Sequence, residues 1–118
     1  MVKVVNQTRR AVLAEQCEVA RSFLARGRGL LGRTSLPAGK GLLIEPCSSI
    51  HMLFMKFPID VIFVDRHGYV VALYPELPPW RLYAGHRSAR YALELPVGVI
   101  ASSATAIGDQ IVVLSGAA

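Results

Sequence analysis

Residues 47–74 read CSSIHMLFMKFPIDVIFVDRHGYVVALY, and they contain the strongest structural pattern of the chain. Ile59–Val64 is apolar at every position except Asp60, which is the pattern of a central strand that is buried on both faces. Asp65-Arg66-His67-Gly68 then predicts a tight turn, because the aspartate bonds the backbone and the glycine supplies a positive φ. Tyr69–Tyr74 would return antiparallel, so these residues predict a central β-hairpin.

The apolar residues ahead of this hairpin predict another strand, Ile50–Phe57. In an extended chain the side chains alternate between two faces, which would place Cys47, His51 and Met55 on the same face. Pro58 lacks an N–H donor, so it would mark the start of the next strand.

The other predicted elements are also short. Three glycines between residues 27 and 32 would end a helix that starts at Glu18, and Ser22 is a possible N-cap for a later start. Pro96 and Gly108 would bound a second helix. The remaining strands are predicted at Val2–Val5, Ala11–Ala14, Leu42–Glu45, Tyr91–Leu95 and Asp109–Leu114, with helices at Glu18–Leu31 and Val97–Ala106.

Size and composition agree with a β-rich fold. The chain has 118 residues, with ten glycines and seven prolines, so we expect one domain over residues 1–118 with many turns. The predicted class is mostly β (β-rich α+β), a compact antiparallel barrel or sandwich with one or two short helices.

Charge and cysteine content suggest which partners and which compartment to expect. Residues 1–45 hold the whole net charge of +5, which could attract nucleic acid or another anion through Arg21, Arg26, Arg28 and Arg33, although a solvated helix face has the same pattern. No signal peptide pattern and no apolar run of about 18 residues is present, which predicts a cytoplasmic protein without a membrane span. Cys17 and Cys47 form no metal or disulfide pattern, but a bond between them stays possible.

Four ordered segments resemble a known family. Ser49–Asp65 is similar to the central motif of a small bacterial and archaeal family catalogued as domain of unknown function 192. Arg28–Arg33 and Pro79-Trp80-Arg81 resemble further motifs of that family. Leu93–Gly98 together with Gly108-Asp109 resembles its closing segment, so the resemblance covers about residues 20–113.

This resemblance implies a compact, mostly β fold with a closed or sandwich-like sheet and one or two short helices. It implies little about chemistry, because no activity is established for the family, and we expect no cofactor. Many relatives carry an export signal, whereas we expect none in this chain. Ser102–Thr105 departs from the more regular helix of the relatives, which affects the expected length of the second helix.

Cys47, His51 and Met55 could form a soft-metal site, because a thiolate, an imidazole and a thioether suit Cu(I). On a straight strand, however, residues four apart are separated by about 13 Å. One metal ion cannot bridge that distance, so a packed face with one hydrogen-bonded histidine is the simpler interpretation.

Asp60 is the least expected residue of its apolar strand. A buried carboxylate needs hydrogen bonds or a charged partner. It could pair with His51 in a small hydrolase-like site, but no nucleophile elbow is present. The simpler interpretation is structural, with Asp60 accepting hydrogen bonds from loop amides.

A loop with aromatic and basic side chains is the best binding candidate, since such residues dominate binding surfaces. Its members are Trp80, Tyr83, His86, Arg87 and Arg90. The sequence therefore favours a non-catalytic module that binds a small molecule or a protein, where His51 and Asp60 approach residues 78–90. The alternatives are a hydrolase-like enzyme that uses His51 and Asp60, and nucleic-acid or anion binding through the basic first third.

Overall fold

Nine strands and two short helices form the part of the chain that the structure, a computed structural model, describes: residues 1–115. The elements are β1 Val2–Asn6, β2 Ala11–Ala20, α1 Phe23–Arg28, β3 Lys40–Ile44, β4 Ser49–Ile50, β5 Ile59–Asp65, β6 Val70–Leu77, β7 Ala84–Gly85, β8 Ala89–Leu95, α2 Val99–Ser103 and β9 Ile111–Ser115.

Seven of the strands form one sheet in the order β6-β5-β8-β3-β2-β1-β9, and β4 pairs with β7 in a second, two-stranded sheet. All pairs are antiparallel except β2 with β3, which is parallel. The predicted central hairpin is confirmed: β5 lies between β6 and β8. Asp65 Oδ1 accepts from the N–H groups of His67 and Tyr69, and Gly68 has a φ of 91°.

The large sheet curls until its two edge strands meet at one end. Val70 N donates to Asp109 O at 2.9 Å, and Gly108 N donates to Val70 O at 2.8 Å. Ile111 N donates to Gly68 O at 2.7 Å. The result is a curled half-barrel. The predicted mostly β class with one or two short helices is confirmed, and the structure has two.

A polar cluster supports the contact between these edges. Asp109 Oδ2 accepts from Asn6 Nδ2 at 3.0 Å and from Arg9 Nε at 2.9 Å. Asn6 Nδ2 also donates to Thr105 Oγ1, so β1 is tied to the segment that precedes β9. The hydrogen bond from Arg9 lowers the pKa of Asp109 to about 2, which keeps the carboxylate ionised at neutral pH.

Apolar side chains are buried on both faces of the sheet, which explains the uninterrupted apolar pattern of β5. Ile62 and Val64 point into the half-barrel with Leu93 and Leu95. Val61 and Phe63 pack on the opposite face, which the segments around α1 and the loop before β5 cover. The covering side chains include Leu30, Leu36, Met52 and Met55.

Asp60 is a polar residue at the start of β5, and only 1% of it is exposed. Oδ1 accepts from Glu76 N at 2.9 Å, and Oδ2 accepts from Gly98 N at 3.2 Å and from Ile100 N at 2.8 Å. The expected structural role is therefore confirmed. Gly98, the N-cap of α2, has no side-chain cap of its own, so Asp60 satisfies the first N–H groups of that helix from a neighbouring strand.

Two predicted elements are wrong in extent. Glu18–Ala20 continues β2, because these residues pair with β3, and α1 starts only after Ser22, whose Oγ accepts from Ala25 N. The strand predicted at Ile50–Phe57 is limited to β4. Beyond it the backbone turns, with a φ of 65° at Phe54, because Met52 pairs with residues 80 and 81 instead of extending along the sheet.

The helix predicted at Val97–Ala106 is reduced to Val99–Ser103, which ends at Ala104 in a left-handed conformation. Ser103 Oγ donates back to Val99 O at 2.7 Å. No helix within residues 1–115 is long and apolar enough to cross a membrane.

A candidate ligand-binding cleft

A cleft of about 550 Å³ opens between α1 and the segment that follows the cis peptide bond Glu45-Pro46. This volume is typical of small-molecule sites. Strands β3 and β8 form its floor, the end of α1 forms one wall, and residues 46–51 form the other. The lining side chains include Arg26, Arg28, Ile44, Cys47, His51, Met55, Arg90 and Glu94.

Glu94 is the most unusual residue of the cleft. Its side chain lies on the outer face of the sheet, and 6% of the residue is exposed. Its Oε1 has no hydrogen-bond partner within residues 1–115. Burial raises the pKa of Glu94 to about 7, and the opposing effect of the Arg33 charge is smaller.

Gly29 lies beside this carboxyl group. It ends α1 with a φ of 50°, and its N–H donates to Ala25 O. A β-carbon at this position would lie 3.8 Å from Glu94 Oε1, which is an ordinary van der Waals distance, so the positive φ and not a lack of space favours glycine here. The end of α1 thus lies against the carboxyl group of Glu94.

Arg26 contributes a second unsatisfied polar atom to the cleft. Its Nε is buried and has no acceptor within the described chain, while its Nη1 donates to Pro46 O at 3.3 Å. Arg28 follows two residues later with an exposed side chain and also lines the cleft. An acceptor oxygen of a ligand could therefore bind Arg26 Nε, with Arg28 adding positive charge.

Cys47, His51 and Met55 line this same cleft, although not on one strand face as predicted. Cys47 Sγ donates to Ser49 O at 3.2 Å, and burial raises the pKa of its thiol. His51 is exposed, and its Nδ1 accepts from Leu53 N at 3.2 Å. No group of three or more His, Cys, Asp or Glu side chains is arranged to hold a metal ion among residues 1–115. Cys17 and Cys47 are both free thiols.

The structure does not bring His51 and Asp60 together. Backbone N–H groups occupy both carboxylate oxygens of Asp60, which is enclosed between β5 and α2. Asp60 does not line the cleft, whereas His51 lies at its rim. The acid–base pair of the hydrolase alternative is therefore not formed.

The residues of the predicted binding loop lie in two different places. Arg90 lines the cleft, and its Nε lies 3.6 Å from Glu45 Oε2. Trp80 and Tyr83 are exposed outside it, and Arg87 is exposed as well. His86 Nδ1 accepts from Ser88 N at 3.1 Å, which stabilises the turn before β8.

The four arginines of the basic first third have different surroundings. Arg21 pairs with Glu45 at 3.1 Å, and Arg33 pairs with Glu18. Arg26 and Arg28 instead line the cleft. Arg26 and Arg28 thus add positive charge to the lining of the cleft, which also includes Glu94.

Glu94 was not recognised in the sequence, because its alternation with Leu93 and Leu95 is typical of a solvent-facing residue. The position of β8 between two other strands could have indicated that Glu94 is buried. A strand with neighbours on both sides, in a sheet covered on both faces, buries its outer residues too.

The family and the curated relatives that this chain matches are described as uncharacterised. The model of the family described as "Uncharacterized ACR", domain of unknown function 192, matches residues 4–113. A UPF0127 protein of Thermococcus sibiricus is 36% identical over 112 residues, which are 92% of this chain and 72% of that protein. A UPF0127 protein of Pyrococcus furiosus is 33% identical over 113 residues, which are 92% of this chain and 95% of that protein.

Two solved structures share the fold, each with a TM-score of 0.81. One is a protein of unknown function from Novosphingobium aromaticivorans, with 22% identity, which covers 94% of this chain and 82% of that one. The other, from Sinorhizobium meliloti, carries the provisional description of a transcription regulator, with 19% identity and coverage of 95% and 91%. At these identities the likeness shows the fold alone. The family match and the archaeal relatives together show that the chain belongs to the domain of unknown function 192 family.

Proposed function

We propose that this protein is a non-catalytic binding module that holds a small polar molecule in the cleft above Glu94. The observation that carries the proposal is that Glu94 lines the cleft while its buried Oε1 has no hydrogen-bond partner within residues 1–115. An unsatisfied buried polar atom is costly, and a ligand that donates a hydrogen bond to it would remove that cost.

The side chains of the cleft indicate the chemistry of the ligand. Glu94 requires a donor, such as a hydroxyl or a protonated amine. Arg26 and Arg28 favour an anionic group on the same ligand, because a charge-assisted hydrogen bond to the buried Arg26 Nε would satisfy that atom. Ile44 and Met55 add apolar surface to the cleft. A hydroxy acid, an amino acid or a phosphorylated polyol meets all three requirements.

The two alternatives have less support. The hydrolase alternative needs Asp60 open to the cleft, and its oxygens are occupied. Nucleic-acid binding needs a contiguous basic face, whereas Arg21 and Arg33 are paired with acidic side chains. The cytoplasmic location stays a prediction, which fractionation of cells that express the chain would test.

Protection of the Cys47 thiol provides a direct test. Cys47 lines the cleft, while Cys17 is buried elsewhere and serves as an internal reference. Hydroxy acids, amino acids and sugar phosphates at millimolar concentration would be screened for slower alkylation of Cys47, with thermal melting as a second measurement. We expect one of these classes to protect Cys47 and to raise the melting temperature.

Glu94→Leu should abolish the protection, and Arg26→Met should weaken it about tenfold, because each removes one side of the site. Glu76→Gln changes an exposed carboxylate outside the cleft and is the matched control. If no probe slowed alkylation of Cys47, or if Glu94→Leu kept full protection, the proposal would be wrong.

A further inference from the structure

Two segments run antiparallel and form an arm, which we define as residues 50–55 and 80–84; Ile50, His51 and Met55 of the first segment also line the cleft. Ile50 in β4 pairs with Ala84 in β7. Further along, Met52 N donates to Arg81 O at 2.7 Å, and Trp80 N donates to Met52 O at 2.6 Å. Met52 and Ala84 are buried, so they fix the arm to the body of the protein.

The outer side of the arm is apolar and exposed. The exposed fractions are 68% for Phe54, 56% for Trp80, 76% for Leu82 and 59% for Tyr83. The rings of Phe54 and Trp80 meet edge to face, with their centroids 4.8 Å apart. Contiguous exposed apolar side chains of this kind mark an interaction surface.

The backbone holds this surface in a strained conformation. Phe54 has a φ of 65° and Trp80 a φ of 70°, in the left-handed region that bulky side chains rarely adopt. Such strain persists only where the surrounding hydrogen bonds enforce it, and it is concentrated at functional sites. Here it accompanies two large rings that are turned towards solvent.

Positive charge surrounds these apolar side chains. Lys56 and Arg81 are exposed, and neither forms an ion pair within the described residues. Segments 50–57 and 78–90 contain no aspartate or glutamate, so acidic side chains of the arm itself do not offset this charge. The expected partner therefore presents an apolar region together with negatively charged groups.

We propose that the arm inserts into the surface of an anionic lipid bilayer. Phe54, Trp80 and Leu82 would enter the boundary between headgroups and acyl chains, and Lys56 and Arg81 would contact lipid phosphates. Tryptophan and tyrosine are enriched at this boundary, and basic side chains are attracted to anionic leaflets. Neither the cleft nor the smaller pocket beside Leu24 includes the four apolar side chains, so a fluid surface suits them better than a partner that fills a groove.

The single tryptophan of the chain makes the test direct, because its emission reports on the arm alone. The full chain would be titrated with vesicles of phosphatidylcholine, with and without an equal share of phosphatidylglycerol, some of them brominated in the acyl chains. We expect a blue shift and quenching of Trp80 with the anionic vesicles, together with co-sedimentation that weakens at high salt. Unchanged emission and protein left in the supernatant would overturn the proposal.

Leu82→Ser should weaken vesicle binding about tenfold, since it removes one inserted side chain and leaves Trp80 as the probe. The matched control is Leu24→Ser, because Leu24 is 81% exposed but lies on α1. Equal binding by the two variants would refute a role for the arm. Self-association that depends on Leu82 and occurs without vesicle binding would assign the surface to a second copy, and would also overturn the proposal.

Discussion

Replacement of Asp60 by alanine tests the connection between β5 and α2. Asp60 accepts from Glu76 N, Gly98 N and Ile100 N, at 2.9, 3.2 and 2.8 Å. In Asp60→Ala all three N–H groups lose their acceptor, and the N-terminus of α2 loses its only side-chain cap, because Gly98 supplies none. The free energy of unfolding should therefore fall.

The size of this effect depends on how well water can replace the carboxylate. A buried donor left without an acceptor costs about 1–3 kcal/mol, and more when the lost acceptor was charged. The bond to Ile100 N is buried, while those to Glu76 N and Gly98 N are partly buried, so water can satisfy part of the loss. We expect a destabilisation of about 3 kcal/mol, which corresponds to a fall of about 12 °C in melting temperature for a domain of this size.

Urea denaturation and thermal melting would measure the change, with Asp65→Ala as control. Asp65 Oδ1 also accepts from two backbone N–H groups at 2.9 Å, but these bonds are exposed in the turn after β5. Water can replace that acceptor, so the control should lose less than about 1 kcal/mol. If Asp60→Ala were no less stable than Asp65→Ala, burial would not govern the cost of these lost bonds, and the reasoning would fail.

Three further measurements follow from other residues. Burial raises the pKa of Glu94 from 4.5 to about 7. Between these two pH values the folded protein keeps a proton that the unfolded chain releases, so the free energy of unfolding of the wild type should fall as pH rises from 4.5 to 7. Glu94→Gln should remove this slope in urea denaturation, whereas an unchanged slope would place the responsible group elsewhere. The pKa of Asp109 is lowered from 3.8 to about 2 by Arg9, so its contribution to stability should be present above pH 4 and lost as pH falls towards 2. Asp109→Asn should therefore melt lower than wild type at pH 7, with the difference vanishing near pH 2; a constant difference would contradict this. Thiol alkylation followed by peptide mass spectrometry should label Cys47 before Cys17, which is fully buried, and the reverse order would contradict the observed exposure.

The central hairpin could be predicted because its signals are local. The apolar residues of β5 and the turn at Asp65–Gly68 act over a few residues, and no distant contact changes them. For the same reason, it could be predicted that Asp60 accepts hydrogen bonds, since a carboxylate within an apolar strand must find donors nearby. Only the identity of its partners required the structure: Glu76 is 16 residues away along the chain, and Gly98 and Ile100 are 38 and 40 residues away.

The arm and the cleft could not be predicted, because both depend on distant pairing. Residues 51–57 have the composition of a strand, but Met52 pairs with residues 80 and 81. Glu94 follows the alternation of an exposed position, yet the elements around α1 cover that face of the sheet. Cys47, His51 and Met55 line one cleft, but a turning loop and not the predicted strand directs them there.

The pairing of β1 with β9 has a consequence for the order in which the chain can fold. Lys3 lies opposite Leu114, so this seam closes a loop that spans nearly the whole sequence. During synthesis β1 leaves the ribosome well before β9, so its outer edge has no strand to pair with until β9 emerges. Such an edge can recruit strands from other chains. The slowest step of folding should therefore be the final closure of this seam, and the nascent chain should be most prone to aggregation just before it.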